Sequence, residues 1–166
     1  MRWYDRWAAL WVCLAVLCGA APQAAAQSTP DAVQLSKREM PKGRPEVVLD
    51  RLDFPREIQG WWVYKKHLRR ALKREVRRVK WGAGTGNRIE YRFAVTKLEI
   101  ETKGDVVQVT CTAIGRLPKG KRAKSHLSFG GAKAKRAAVV RKVLEIVARG
   151  VIARLAELER ERRGYD

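Results

Sequence analysis

Eight basic side chains crowd into fourteen positions: Lys65, Lys66, Arg69, Arg70, Lys73, Arg74, Arg77 and Arg78. They come as neighbouring pairs repeated every four residues, so on a helix they cover more than half the circumference. The chemistry open to them is anion binding. On a surface they would track the phosphates of lipid headgroups, lipopolysaccharide or nucleic acid. Attraction to an anionic leaflet is worth about 1 kcal/mol per cation near the surface, and binding to nucleic acid draws on counterion release. The same pattern also suits a helix face that is merely solvated, and the sequence leaves both readings open. Trp61 and Trp62 precede the cations. Consecutive residues cannot share one helical face, so one indole packs inward and the other meets solvent, where it suits a membrane interface or base stacking. Trp62 is therefore an accessory candidate. Lys119, Lys121, Arg122 and Lys124 form a second basic cluster that joins the first only if the fold places it alongside.

Groups that could carry covalent or acid–base chemistry are sparse. His67 and His126 are the only histidines. No Cys or His stands at ligand spacing from either, so no zinc site and no cofactor is expected. Cys111 sits on the apolar phase of a strand, where a thiol is buried and inert. Glu75 falls inside an apolar stripe and must be paired, protonated or at the helix edge. The structural reading is an ion pair with a neighbouring Arg. The run 82–87 (GAGTGN) superficially matches a phosphate loop, but such loops follow a strand and open a helix. This one follows a helix and opens a strand, so it reads as a connector.

The elements that would position these groups follow from periodicity. Residues 46–54 are β-rich, with Val48, Leu52 and Phe54 on one face. Over 59–80, Trp61, Tyr64, Leu68, Leu72, Val76 and Val79 recur at helical spacing. Gly82, Gly84 and Gly86 are expected to end that helix. Ile89, Tyr91, Phe93 and Val95 alternate, then Leu98 and Ile100 continue in the other phase, which predicts a bulge near Thr96 and Lys97. A tight turn at 103–105 leads to Val107, Val109, Cys111 and Ala113 on one face. Residues 118–124 read as a basic loop, 125–129 as a short strand, and Gly130–Gly131 as a turn into a long helix over 133–162. Val140, Leu144, Val147, Val151, Leu155 and Leu158 make its apolar stripe; Val139, Val143 and Ile146 widen it. From Glu157 onward alternating Glu and Arg predict an exposed end held by i,i+4 pairs. The breadth of this stripe, with Gly150 inside it, also leaves a homo-oligomer open. The expected fold class is α+β: a small mixed or antiparallel sheet with two helices packed on one face, in the order β-α-β-β-(β)-α.

The first twenty-six residues give the address. Arg2 and Arg6 head an apolar run over 7–21, and Ala24–Ala26 supplies the small residues of a cleavage site. That order is a secretory signal peptide, and the run is shorter than the ~20 residues of a spanning helix. Cleavage near Ala26 would leave a periplasmic or secreted chain with 34 basic and 16 acidic residues. Residues 27–45, with three prolines, read as a flexible linker, and 46–163 as a single domain. Only Cys111 stays after cleavage, so no intrachain disulfide is available.

The element order resembles that of the N-terminal domain of the periplasmic translocation protein TolB and of the curli-secretion lipoproteins. The strand over 46–54, the helix over 61–79, the pair 91–95 and 107–113, and the helix over 140–158 carry the resemblance. No family motif accompanies it, and Leu17 before Cys18 departs from the lipoprotein pattern. The resemblance implies a periplasmic, non-catalytic assembly or envelope module. Together with the basic helix, it sets the expectation of a binding module for an anionic envelope component (a lipid headgroup or polysaccharide) or an acidic protein. Extracytoplasmic nucleic-acid binding is the alternative, and an enzyme with an unrecognised site the third class.

Overall fold

The computed structural model describes residues 39–165, the Lys119 side chain excepted. The expected signal peptide and most of the expected linker lie outside them. Strand β1 (Glu46–Asp53) leads to helix α1 (Trp61–Arg78), then strands β2 (Arg88–Lys103), β3 (Val106–Arg116) and β4 (Arg122–Ala132), and helix α2 (Arg136–Arg163). The four strands form one sheet in the order β1-β2-β3-β4. β1 and β2 are parallel, joined by the crossover through α1. β2, β3 and β4 form an antiparallel meander. The α+β class and its mixed sheet are as the periodicity predicts.

One sheet face carries the core. Val107, Val109, Cys111 and Ala113 are fully buried beneath α2, whose Val140, Val143, Leu144, Val151, Ile152 and Leu155 are equally inaccessible. Each such Val or Leu contributes about 1.5–3 kcal/mol relative to exposure, so α2 is the main clamp on the sheet. The other face is polar, with Thr110 against Ser128 at 3.0 Å and Thr112 against His126 at 2.9 Å. α1 lies beside α2 and runs in the same direction: His67 meets Glu145, Glu75 meets Arg149, and Arg160 reaches the Lys80 carbonyl.

The bulge between Val95 and Lys97 falls where the change of phase places it. Four expectations need correction. A second irregularity lies at Asp50, between Leu49 and Arg51. It puts Val47 and Leu49, not Val48, on the core side with Leu52 and Phe54. Helix α1 is not ended by glycine. It stops at Val79, which is extended at φ −90°, and Trp81 folds back so that its Nε1 donates to the Val76 carbonyl at 3.1 Å. A last-turn carbonyl that glycine capping would have served is thereby satisfied. β4 is a full strand of 11 residues that takes in Arg122, Lys124, Gly130 and Gly131. Gly131 is small for a packing reason: a Cβ there would lie 2.6 Å from Val139 Cγ2. Finally, the end of α2 is not wholly exposed, because Glu159 is buried beneath the charges described below.

Candidate functional site

α1 sorts its eight cations into two groups. Lys65 is half-buried, its Nζ 5.7 Å from the Trp61 ring centroid, with Arg56 at 5.8 Å from the same ring. Arg74 and Arg78 hold the buried Glu75 at 3.3 and 3.2 Å, and Arg74 also reaches Glu145 at 3.4 Å. Arg149 of α2 closes the cluster on Glu75 at 3.7 Å. Glu75 is thus the structural carboxylate its place in the apolar stripe predicts. Its hydrogen bonds to Arg74 and Arg78 join neighbours on α1, and Arg149 ties α1 to α2.

The other five cations, Lys66, Arg69, Arg70, Lys73 and Arg77, are exposed. None has a carboxylate within ion-pair distance among the described residues. At about 100° per residue these five fall within an arc of roughly 100°. Trp62, 63% exposed, falls inside the same arc. The eight cations together spread over more than half the helix, but the unpaired ones share one stripe with an exposed indole. Arg70, Lys73 and Arg77, with Arg74 and Arg78, line a shallow depression of ≈ 370 Å³ whose walls are all basic.

The second basic cluster is elsewhere. Lys119 lies in the 3-10 turn Pro118–Gly120. Lys121 donates to the Leu158 carbonyl at 3.4 Å and reaches Glu161 at 4.0 Å, at the end of α2. Arg122 and Lys124 belong to β4, the sheet edge opposite β1. The fold does not bring these residues onto the α1 stripe. Cys111 and the histidines do not converge either. Cys111 is sealed in the core and burial pushes its thiol up to about 12, whereas His126 is exposed on the polar face. His67 Nε2 is buried 3.2 Å from Glu145 without the alignment of a hydrogen bond. Among the described residues no group of His, Cys, Asp or Glu could hold a metal ion, and no helix is long and apolar enough to cross a membrane. The 82–87 run connects α1 to β2, and at Gly82 φ is +66° and a Cβ would lie 2.8 Å from Arg160 Cγ.

A cavity of ≈ 1010 Å³ is the feature the sequence gives no sign of. It opens between β1 and the C-terminal half of α1, and residues 39–45 pass along its side, where the Lys42 carbonyl accepts from the Thr85 amide at 3.4 Å. Val47, Leu49, Leu52 and Tyr91 line it from the sheet, Val76 and Val79 from the helix, and Trp81 from the connector. Arg69, Lys73 and Arg77 are solvent-exposed and also line it, so they form its rim. No spacing rule announces this site, because its walls come from β1, α1 and the connector, which only the fold brings together.

No family model matches this chain. No curated protein matches it. Among solved structures it is similar to a candidate lipoprotein of Caulobacter crescentus CB15, at 10% identity over 58% of this chain and 80% of that one, with a TM-score of 0.37. It is also similar to a single-residue variant of the PelC dodecamer from Paraburkholderia phytofirmans, at 11% identity over 73% and 94% of the two chains, TM-score 0.41. A second crystal form of the PelC dodecamer gives 15% identity over 71% and 92%, TM-score 0.36. None is close enough in sequence or superposition to carry a function or a partner over to this chain, and none extends the resemblance to TolB or curli-secretion proteins.

Proposed function

We propose that this chain is an exported, non-catalytic binding module that docks on an anionic envelope surface through the outer stripe of α1. The observation that carries the reading is the sorting of charge on that helix: Lys66, Arg69, Arg70, Lys73 and Arg77 have no internal carboxylate and share their arc with the exposed Trp62. Unpaired cations on one side of a helix repel each other, and an external anion relieves that repulsion. An indole with one apolar body and one polar edge suits the headgroup level of a bilayer. At about 1 kcal/mol per cation, the stripe suffices for reversible, salt-sensitive attachment.

The test is co-sedimentation of the purified chain with phosphatidylglycerol vesicles, phosphatidylcholine vesicles and, separately, a single-stranded DNA oligonucleotide, at low and high salt. The expected result is binding to the anionic vesicles alone, lost at high salt and weakened by more than about tenfold in an Arg69→Glu, Arg70→Glu, Lys73→Glu, Arg77→Glu variant. Arg74 and Arg78 are left in place because they hold Glu75. Vesicle binding that survives the four reversals would remove α1 from the function. Tighter binding to the oligonucleotide than to vesicles would assign the stripe to nucleic acid.

A further inference from the structure

The cavity beside β1 combines three features that the anion-binding stripe alone does not require. Its walls hold most of the partly exposed apolar side chains of this part of the molecule: Val47, Val48, Leu49, Val76 and Val79 are half-buried, and Met40 is 44% exposed. Its charged lining is mostly basic, with Arg44, Arg69, Lys73, Arg77, Arg78 and Lys80 against only Glu46 and Asp50. Its inner wall includes Tyr91, 2% exposed, whose hydroxyl has no hydrogen-bond partner among the described residues. His67 Nε2, not this oxygen, is the buried side-chain polar atom left without a partner among the described residues, so the Tyr91 hydroxyl is open to the cavity and free to donate to a ligand acceptor. The volume of ≈ 1010 Å³ is at the upper end of small-molecule sites. An apolar chamber with a cationic rim complements an amphiphile with an apolar tail and an anionic head.

We propose that this cavity receives the acyl chain of a single-chain anionic lipid, its tail against Val47, Leu49, Val76 and Trp81 and its head at Arg69, Lys73 and Arg77. An acyl chain asks no hydrogen bonds of the apolar side chains among the lining residues. Tyr91 offers one donor to the oxygens where head joins tail. The assignment of the head to the rim rests on the anion-binding reading of α1; the assignment of the tail rests on the cavity alone.

Sodium palmitate below its micellar concentration, titrated calorimetrically into the full chain, tests this, with inorganic phosphate and an oligo-glutamate peptide as separate arms. Saturable binding of palmitate at one site is expected, with no heat from phosphate. Val76→Trp, which pushes an indole into the chamber, and Leu49→Gln, which makes its wall polar, are each expected to weaken palmitate by about tenfold or more. Circular dichroism identifies whichever variant stays folded. Lys73→Glu is expected to weaken it by a similar factor through the head. Absence of palmitate binding, or equal affinity in a folded cavity variant, would overturn the proposal. So would an oligo-glutamate peptide that binds more tightly than palmitate and is lost in the same variants, since that assigns the groove to an added strand. Neither cavity substitution alters a cation of the stripe. Vesicle binding retained without palmitate binding therefore defeats the cavity assignment only, whereas palmitate binding without vesicle binding defeats the docking surface only.

Discussion

Glu159 and Glu75 are the two buried carboxylates among the described residues, and they are held differently. Glu75 takes single contacts from three arginines on two helices. Glu159 takes a two-pronged contact from Arg162, at 2.8 and 2.6 Å, and a third bond from Arg163 at 2.8 Å. Burial by itself would raise the Glu159 carboxyl, but the hydrogen bonds and charges of Arg162 and Arg163 outweigh it and hold the group below its ordinary 4.5. A carboxyl whose folded value is depressed stabilises the fold above its unfolded value and ceases to do so as pH falls through the folded one. Glu159→Gln is therefore expected to cost about 1–3 kcal/mol near neutral pH and much less once the acid limb below about pH 4 is passed. Melting of wild type and variant at neutral and acid pH checks this; parallel loss in both would contradict it. The sequence exposed one of these residues and hid the other. Glu75 stands out against the apolar stripe of α1, although its third partner, Arg149, comes from another helix and has no local signal. Glu159 follows Leu155 by four residues and so continues the buried side of α2. The surrounding Glu and Arg masked that spacing and made the segment look solvated throughout.

At the scale of elements, periodicity found the helices and strands, and close packing decided their ends. Gly115 on β3 shows why. A Cβ at this position would lie 2.5 Å from Val151 Cγ1 and 2.7 Å from Leu155 Cδ1, so α2 rests directly on the backbone of β3. Gly115→Val is expected to destabilise by at least about 1–3 kcal/mol, the usual cost of overpacking a filled core, measured as a lower urea midpoint with unchanged slope. An unchanged midpoint would mean that α2 is not seated on the strand. Gly150 behaves oppositely. The nearest atom to its Cβ position is Ser125 Oγ at 3.4 Å, so this glycine faces its own sheet across an ordinary contact. Seen only as letters, the glycines at 82, 130 and 131 look like punctuation. Packing adds a second reason: Gly82, which also turns at φ +66°, lies against Arg160, and Gly131 lies against Val139. The candidate stripe was legible as a count of cations on a helix. Which of them stay unpaired depends on Glu75 and on Glu145 of α2, and only the fold brings the latter to α1.

At the scale of the domain, one core joins α2 to the sheet and to the inner side of α1, and the cavity lies where that core gives out, beside β1. A ligand site at such a margin can open without disturbing the centre, and Cys111 offers a way to measure the separation. The thiol sits mid-strand on β3 between Leu98 of β2 and Leu127 of β4, has no exposed surface, and is pushed up to about 12 by burial. At neutral pH it is both inaccessible and protonated, and only the thiolate alkylates. Access to it requires α2 to leave β3, which dismantles most of the core. Alkylation of Cys111 by iodoacetamide, read by peptide mass so that Cys13 and Cys18 do not interfere, is expected to be suppressed by roughly 10³-fold or more in the native chain, as follows from a stability of about 5 kcal/mol. It should rise with urea along the same curve as the loss of helix by circular dichroism. Cavity substitutions such as Leu49→Gln should shift that curve far less than Gly115→Val does. Rapid labelling at full helicity would show that β3 opens locally, and the cavity could then no longer be treated as a margin independent of the centre.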